Sequence, residues 1–344
     1  MGKNDFFKDL PRRGAKHLLA TMAWTAFCTG TVYAQEWIDV TDTYITNADF
    51  STGTTDGWDA GTALPGVNAT WLNAEFFQSY NSASQNVLGL KAGHYKLTVQ
   101  GFHRAGGNDN GAAYNAGTEV INAYLFAGKD SVKLKSLYSE PADASVANQL
   151  NGWPDGMEGL NAWLTKYPES YLNEVTFTVQ QDGSDMLMGI ASNTNAGKTW
   201  SCWDNFKLYF EGSAFDAFSV KISKLETLRD SLETLGIASA SELTALVEQY
   251  GSYNENNPEK KIPAASVILK KNTATALGLC TKGAELTASM AKATGLLTQM
   301  EDGTYNVTDA VKQELQDAIG TAEEVLKLST MKEVTEAIGD GITA

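Results

Sequence analysis

Seven of the eight tryptophans fall between Trp37 and Trp203, and none follows Trp203. Large aromatic side chains need a thick core, so the two parts of this chain must bury their apolar groups in different ways. Up to about residue 212 the sequence is rich in Gly, Asn, Thr and aromatic residues, with apolar and polar positions alternating between turn-forming clusters. Tyr95, Leu97 and Val99 share one face of an extended segment. Val175, Phe177 and Val179 repeat the pattern, followed by a turn at 180–183 and a return strand over 186–191, and Phe206, Leu208 and Phe210 give a third strand. A period of two marks strands with one buried face, here a sandwich or barrel. One helix interrupts it over 157–167, where Leu160, Trp163, Leu164 and Tyr167 recur at helical spacing.

After Gly212 the composition changes to Ala, Leu, Glu, Lys and Thr. Phe218, Ile222, Leu225, Leu232 and Leu235 form an apolar stripe that stops at Gly236. A shorter helix opens at Ser241, residues 251–263 read as a loop, and a long helical stretch runs over about 264–300 with Gly278, Gly283 and Gly295 inside it. Thr308 then caps a helix carrying Val311, Leu315, Ala318, Ala322 and Val325. The expectation is a two-domain chain, all-β over 35–212 and an all-α helical bundle over 213–344, the helical stripes serving as core.

The amino terminus reads as an address. Lys3, Lys8, Arg12, Arg13 and Lys16 precede an apolar run over 18–27, and Val32-Tyr33-Ala34 offers small-residue cleavage, so 1–34 has the form of a signal peptide for export to the periplasm, the outer surface or the medium. The run is too short to anchor the chain in a bilayer. The whole chain carries 26 basic and 41 acidic residues, a formal charge of -15. That charge repels phosphate backbones and anionic lipid heads, which argues against nucleic acid and membrane insertion and favours a neutral partner. Cys202 and Cys280 remain after export; both read as small buried apolar groups, with a bridge between them left open.

The sequence holds no HExxH, GxSxG, P-loop, GxGxxG or CxxC. His94 falls in a turn and His103 at a strand end. Asp155 with Glu158, or Glu75 with Glu119, are nominal carboxylate pairs for glycoside hydrolysis, set against a reading of these acids as solvated surface.

Asn47-Ala48-Asp49-Phe50 with Gly57-Trp58, then 90–97 (Leu-Lys-Ala-Gly-His-Tyr-Lys-Leu), and finally 203–208 (Trp-Asp-Asn-Phe-Lys-Leu), in that order, resemble carbohydrate-binding modules of the galactose-binding-like jelly-roll superfamily. The resemblance implies a jelly-roll sandwich that binds a glycan or polysaccharide without catalysis, by aromatic stacking and hydroxyl hydrogen bonds, across a sheet or in loops at one edge. On that reading the candidate ligand residues are Trp71, Glu75, Tyr80, Gln100, Phe102, Arg104, Tyr114 and Trp153. Phe102 and Arg104 lie opposite the Tyr95 face, and Trp153 is the favoured exposed platform. Trp58, Trp200 and Trp203 are assigned to the core, and Arg104 could instead pair with Glu75. The resemblance also implies a structural calcium ion held by Asn47, Asp49 and Asp204, although Ser51 stands where several relatives carry an acidic ligand. The helical half is similar to the FIVAR repeat, beginning at Thr304-Tyr305 and followed through Leu315, Ala322, Val334 and Ala337, which implies spacing or contact. The rival readings are an adhesion module that binds a surface protein, and an accessory fragment of a glycoside-degrading enzyme.

Overall fold

The computed structural model describes residues 36–59, 66–67, 69–78, 81–193, 197–253 and 262–343. The signal-like segment 1–34 and Tyr80 lie outside the described residues. Among the described residues, thirteen strands form the first half: β1 (Glu36–Asp39), β2 (Gly66–Val67), β3 (Ala74–Phe77), β4 (Asn81–Leu90), β5 (Gly93–Arg104), β6 (Ala123–Ala127), β7 (Asp130–Lys133), β8 (Lys135–Ser136), β9 (Gln149–Leu150), β10 (Trp153–Pro154), β11 (Leu172–Val179), β12 (Ser184–Ser192) and β13 (Trp200–Gly212). Short helices α1 (Thr41–Tyr44) and α2 (Ala112–Asn115), and the longer α3 (Met157–Lys166), are inserted among them.

Eleven of these strands make two sheets packed as a jelly-roll sandwich, and β9 and β10 form a separate two-stranded ribbon. The larger runs β11-β5-β13-β3-β2, with β1 beside β13 and β8 beside β5; the smaller runs β4-β12-β6-β7. β11 pairs with β5, whereas β12 pairs with β4 and β6, so the turn at 180–183 arches from one sheet to the other and does not close a hairpin. The sequence expectation of a return strand was right about the strand and wrong about its neighbour. Alternation alone cannot distinguish an arch from a hairpin, because both leave one face buried.

Tyr95, Leu97 and Val99 face inward and pack with Leu125, Met188 and Ile190 of the opposite sheet. On β13, Trp203 and Phe206 also both face inward although they are three residues apart. A bulge between Asp204 and Lys207 absorbs the odd residue, with Asn205 at φ 57°.

A second core lies on the outer face of the larger sheet. Between β8 and β11 the chain leaves the sandwich, and Leu137, Tyr138, Val146, Leu160, Trp163, Leu164 and Tyr171 close over Phe102, Trp200 and Cys202. This cap covers one end of the outer face and leaves the other end open.

The second half is helical: α4 (Ala214–Thr234), α5 (Ser241–Gly251), α6 (Ile262–Glu301), α7 (Asp309–Leu326) and α8 (Met331–Thr343). Ser213 and Asp216 form a capping box directly after β13, so the last strand converts to helix without a linker. α6 is one continuous helix despite its glycines. Gly283 is required there by packing: a Cβ would stand 2.8 Å from Ile237 Cδ1. Gly89 plays the same part at the junction of the halves, where a Cβ would meet the Thr227 side chain. At that junction the buried Lys224 ammonium donates to Leu88 O at 3.1 Å and stands over the Tyr44 ring. Among the described residues no helix is long and apolar enough to cross a membrane, and both Cys202 and Cys280 are free thiols.

Candidate functional site

Three neighbouring strands bring the first site together. Trp200 at the start of β13 is in register with Phe77 on β3 and with Arg104 on β5. On β3, Ala74 and Phe76 are buried and therefore Glu75 and Phe77 point outward. Phe77 is 52% exposed, an unusual state for a phenyl ring in a sheet. These side chains form the floor of a cleft of about 540 Å3, walled by Leu150 and Asp155 of the cap, by Gly107 and Asn108, and by Gln78 and Lys198.

The polar groups of the cleft are fixed. Arg104 is buried; its guanidinium lies over the Trp200 ring, its Nε donates to Gly106 O at 3.1 Å, and an Nη donates to Asp155 Oδ1 at 2.8 Å. The partner of Arg104 is thus Asp155, not Glu75. Glu75 instead accepts the Trp200 indole N–H at 2.6 Å. Burial raises the Glu75 carboxyl above its usual range, while the Trp200 hydrogen bond and the nearby Arg104 charge pull it back. Lys198 adopts a left-handed backbone (φ 65°), and its aliphatic stem passes close to Gly107. The result is an exposed ring beside oriented donors and acceptors whose charges balance, an arrangement suited to an uncharged ligand with an apolar face and a polar edge.

Of the sequence candidates among the described residues, Glu75 and Arg104 line this cleft and the others do not. Phe102 is fully buried, edge-on to Trp200 and Tyr171 at 5.1 and 5.7 Å, so it supports the floor from beneath and touches no ligand. Trp153 is half-buried; its indole N–H donates to Glu140 O at 3.0 Å and its ring meets Tyr138 edge-on, which makes it a plug of the cap and not a platform. Gln100 braces the β13 bulge, accepting from Asn205 Nδ2 at 2.9 Å. Trp71 is half-buried beside α3, where its carbonyl accepts from Asn161. Tyr114 is exposed on α2, away from the cleft. Trp58 and Trp203 are core, as expected, whereas Trp200 is both buried and part of the cleft floor. Phe77 is the residue sequence reasoning missed; the alternation of Ala74-Glu75-Phe76-Phe77 carried the signal, since an inward Phe76 requires an outward Phe77.

Neither nominal carboxylate pair shares the cleft, which contains Glu75 and Asp155 but not Glu119 or Glu158. His103 faces Ser201, its Nδ1 lying 2.8 Å from the hydroxyl, and burial holds its imidazole down to about 4, a neutral structural ring at ordinary pH. His94 is not in a turn but on the outer face of β5.

Asn47 Oδ1 accepts from Thr52 N, Asp49 Oδ1 from Ser51 N, and Asp204 Oδ1 from Asn205 N. Calcium takes roughly six to eight oxygen ligands. Here two carboxylates and one amide already serve their own turns, and among the described residues no cluster of three metal-ligating acids, histidines or cysteines occurs. This set does not fit a calcium cage. Chelation with EDTA is expected to leave the thermal midpoint unchanged, whereas a bound structural ion at a thousandfold excess over its dissociation constant would contribute about 4 kcal/mol and its removal would lower the midpoint by several degrees.

No protein-family profile matches the chain. No curated protein matches it either. Among solved structures, a family 61 carbohydrate-binding module in complex with β-1,4-galactotriose is 14% identical, covering 49% of this chain and 98% of its own, with a TM-score of 0.28. A family 22 xylan-binding domain from Paenibacillus barcinonensis is 15% identical, covering 48% of this chain and 93% of its own, with a TM-score of 0.25. A tandem of two family 22 modules from the same organism is 13% identical, with 53% and 48% covered and a TM-score of 0.27.

Proposed function

We propose that this protein is a secreted, non-catalytic glycan-binding protein whose sandwich holds a neutral polysaccharide or host glycan in the Phe77 cleft. One observation carries the reading: an exposed phenyl ring stands in register with a buried indole and a fixed arginine–aspartate pair, in a cleft with near-balanced charge. A sugar ring offers its C–H face to Phe77 and its hydroxyls to Glu75, Asp155 and Asn108. Binding requires no proton transfer, and the buried Arg104 holds the exposed Asp155 carboxylate as an oriented acceptor. The helical half, FIVAR-like in sequence, serves on this reading to space or present the sandwich, and the signal-like segment 1–34 supports export.

The test is a panel of soluble and insoluble neutral glycans, β-1,4-galactan and xylan among them. Phe77→Ala is expected to weaken binding at least about tenfold, the equivalent of losing about 1.4 kcal/mol of stacking. Its stability should stay within about 0.5 kcal/mol of the parent, because the ring is largely in solvent already. Undiminished binding by the folded variant would remove Phe77 from the site. No binding by the parent anywhere in the panel would end the glycan reading.

A further inference from the structure

At the open end of the larger sheet a second cleft, of about 560 Å3, runs from the outer face round the sandwich edge to Lys129 and Asp130 of the β6–β7 turn, whose opposite charges offset one another, with Tyr95 and Phe177 of the core also reaching it. Alternation on four adjacent strands builds it. Trp37 of β1 lies opposite Glu211 of β13, and Thr176 and Thr178 of β11 lie opposite Lys96 and His94 of β5, all on the face away from the sandwich core. Trp37 is 39% exposed. Its ring is held in place by the Lys96 ammonium, 4.9 Å from the ring centroid, which is itself anchored over Tyr209 and by Glu174. Around that platform stand the Thr176 and Thr178 hydroxyls, the His94 imidazole, the Gln180 amide and the Glu211 carboxylate. His94 Nδ1 and Thr178 Oγ1 are 3.1 Å apart, which fixes the ring and turns Nε2 outward as a further polar contact.

We propose that this cleft is a second, independent site for a neutral glycan. Like the Phe77 cleft it sets an exposed aromatic ring among amide and carboxylate groups, here with two threonine hydroxyls added, and every residue is different. His94 and Arg104 are the outward residues of β5 at the two clefts, ten positions apart, or about 33 Å along a strand. The cap lies over Phe102 between them, so the two clefts do not merge into one groove. Two sites on one rigid face give a polysaccharide two points of attachment, and an intramolecular second contact raises avidity without any new residue. The choice of a neutral glycan as ligand rests on the proposed function of the first cleft.

The full-length protein is titrated with neutral β-1,4-linked gluco-, xylo- and galacto-trisaccharides, which are too short to reach from one cleft to the other, while the indole N–H signals of Trp37 and Trp200 are followed by NMR. Both signals are expected to move. Trp37→Ala should abolish the perturbations of its neighbours and leave those at Trp200 intact, and Phe77→Ala should do the reverse. Thr178→Val is the second variant, on a hydroxyl that needs no core repacking, and is expected to weaken binding at the Trp37 cleft alone. Movement at Trp200 only, unaffected by Trp37→Ala, overturns the second site and leaves the first. Movement at Trp37 only keeps the second site and overturns the first. No movement at either overturns both.

Discussion

Phe102→Ala is expected to lower the unfolding free energy by about 3–5 kcal/mol and to abolish binding in the Phe77 cleft. The ring has no solvent exposure and contacts Trp200 on one side and Tyr171 on the other, so truncation removes its transfer free energy and leaves a cavity that the β-sheet beneath cannot close. Trp200 rests on Phe102, holds Glu75 through its indole N–H and carries Arg104 on its face. Loss of the ring therefore disorders three cleft groups that Phe102 never touches through a ligand. Phe102→Leu separates support from contact: it should recover most of the stability and the binding with it, whereas a stacking residue would lose affinity in both variants. Chemical denaturation followed by glycan titration of the folded fraction checks this, and an Ala variant of parental stability would mean that the cap is not packed as described.

Replacing Lys224 by Met is expected to give a pH-dependent stability difference. Burial lowers the Lys224 ammonium to about 8, against about 10.4 in an unfolded chain. Below pH 8 both states carry the proton, and the folded protein bears the full cost of a desolvated charge. Between pH 8 and 10.4 the unfolded chain binds the proton and the folded chain does not, so the parent gains stability as pH rises. Each tenfold change in proton affinity is worth about 1.4 kcal/mol, so the gain is on the order of 3 kcal/mol. Met cannot titrate, and the stability of Lys224→Met relative to the parent should fall by that amount from pH 7 to 10.5. Subtracting the two proteins cancels the other lysines, tyrosines and cysteines. A pH-independent difference would show that the ammonium is hydrated and that the two halves are less tightly joined than the Leu88 and Tyr44 contacts require.

The two architectures were legible because each repeats a local rule many times. Tyr95, Leu97 and Val99 had to share a face, and Phe218, Ile222 and Leu225 had to share a helical stripe. The site was legible only where one strand decided it. Glu75 and Arg104 followed from their strands, and Phe77 could have followed by the same alternation. Phe102 could not, because its covering comes from Leu160, Trp163 and Tyr171, far along the chain, and a residue's own strand does not reveal what is folded over it. Trp153 misled for a similar reason: flanking Gly152 and Pro154 mark a loop, but only the fold supplies the Glu140 carbonyl and the Tyr138 ring that draw it inward. Trp200 was assigned to the core, whereas the structure both buries it and makes it part of the cleft floor.

The cap leaves and rejoins the sandwich along a single edge of β5. β8 pairs there with Phe102 and ends opposite His103, and β11 begins opposite Gln100, so the two ends of the excursion are three strand residues, or about 10 Å, apart. Asn173, buried at that seam, accepts from Lys135 N and donates to Gly101 O, joining the two ends to the strand they share. A segment whose ends are already held together costs the surrounding fold little when its interior is exchanged. The wall of the Phe77 cleft that carries Leu150 and Asp155 is thus a cassette on a fixed frame. On the proposed glycan-binding reading, transplanting a different loop between Ser136 and Leu172 would change which sugar the floor of Phe77, Trp200 and Arg104 accepts, provided that the new segment again covers Phe102.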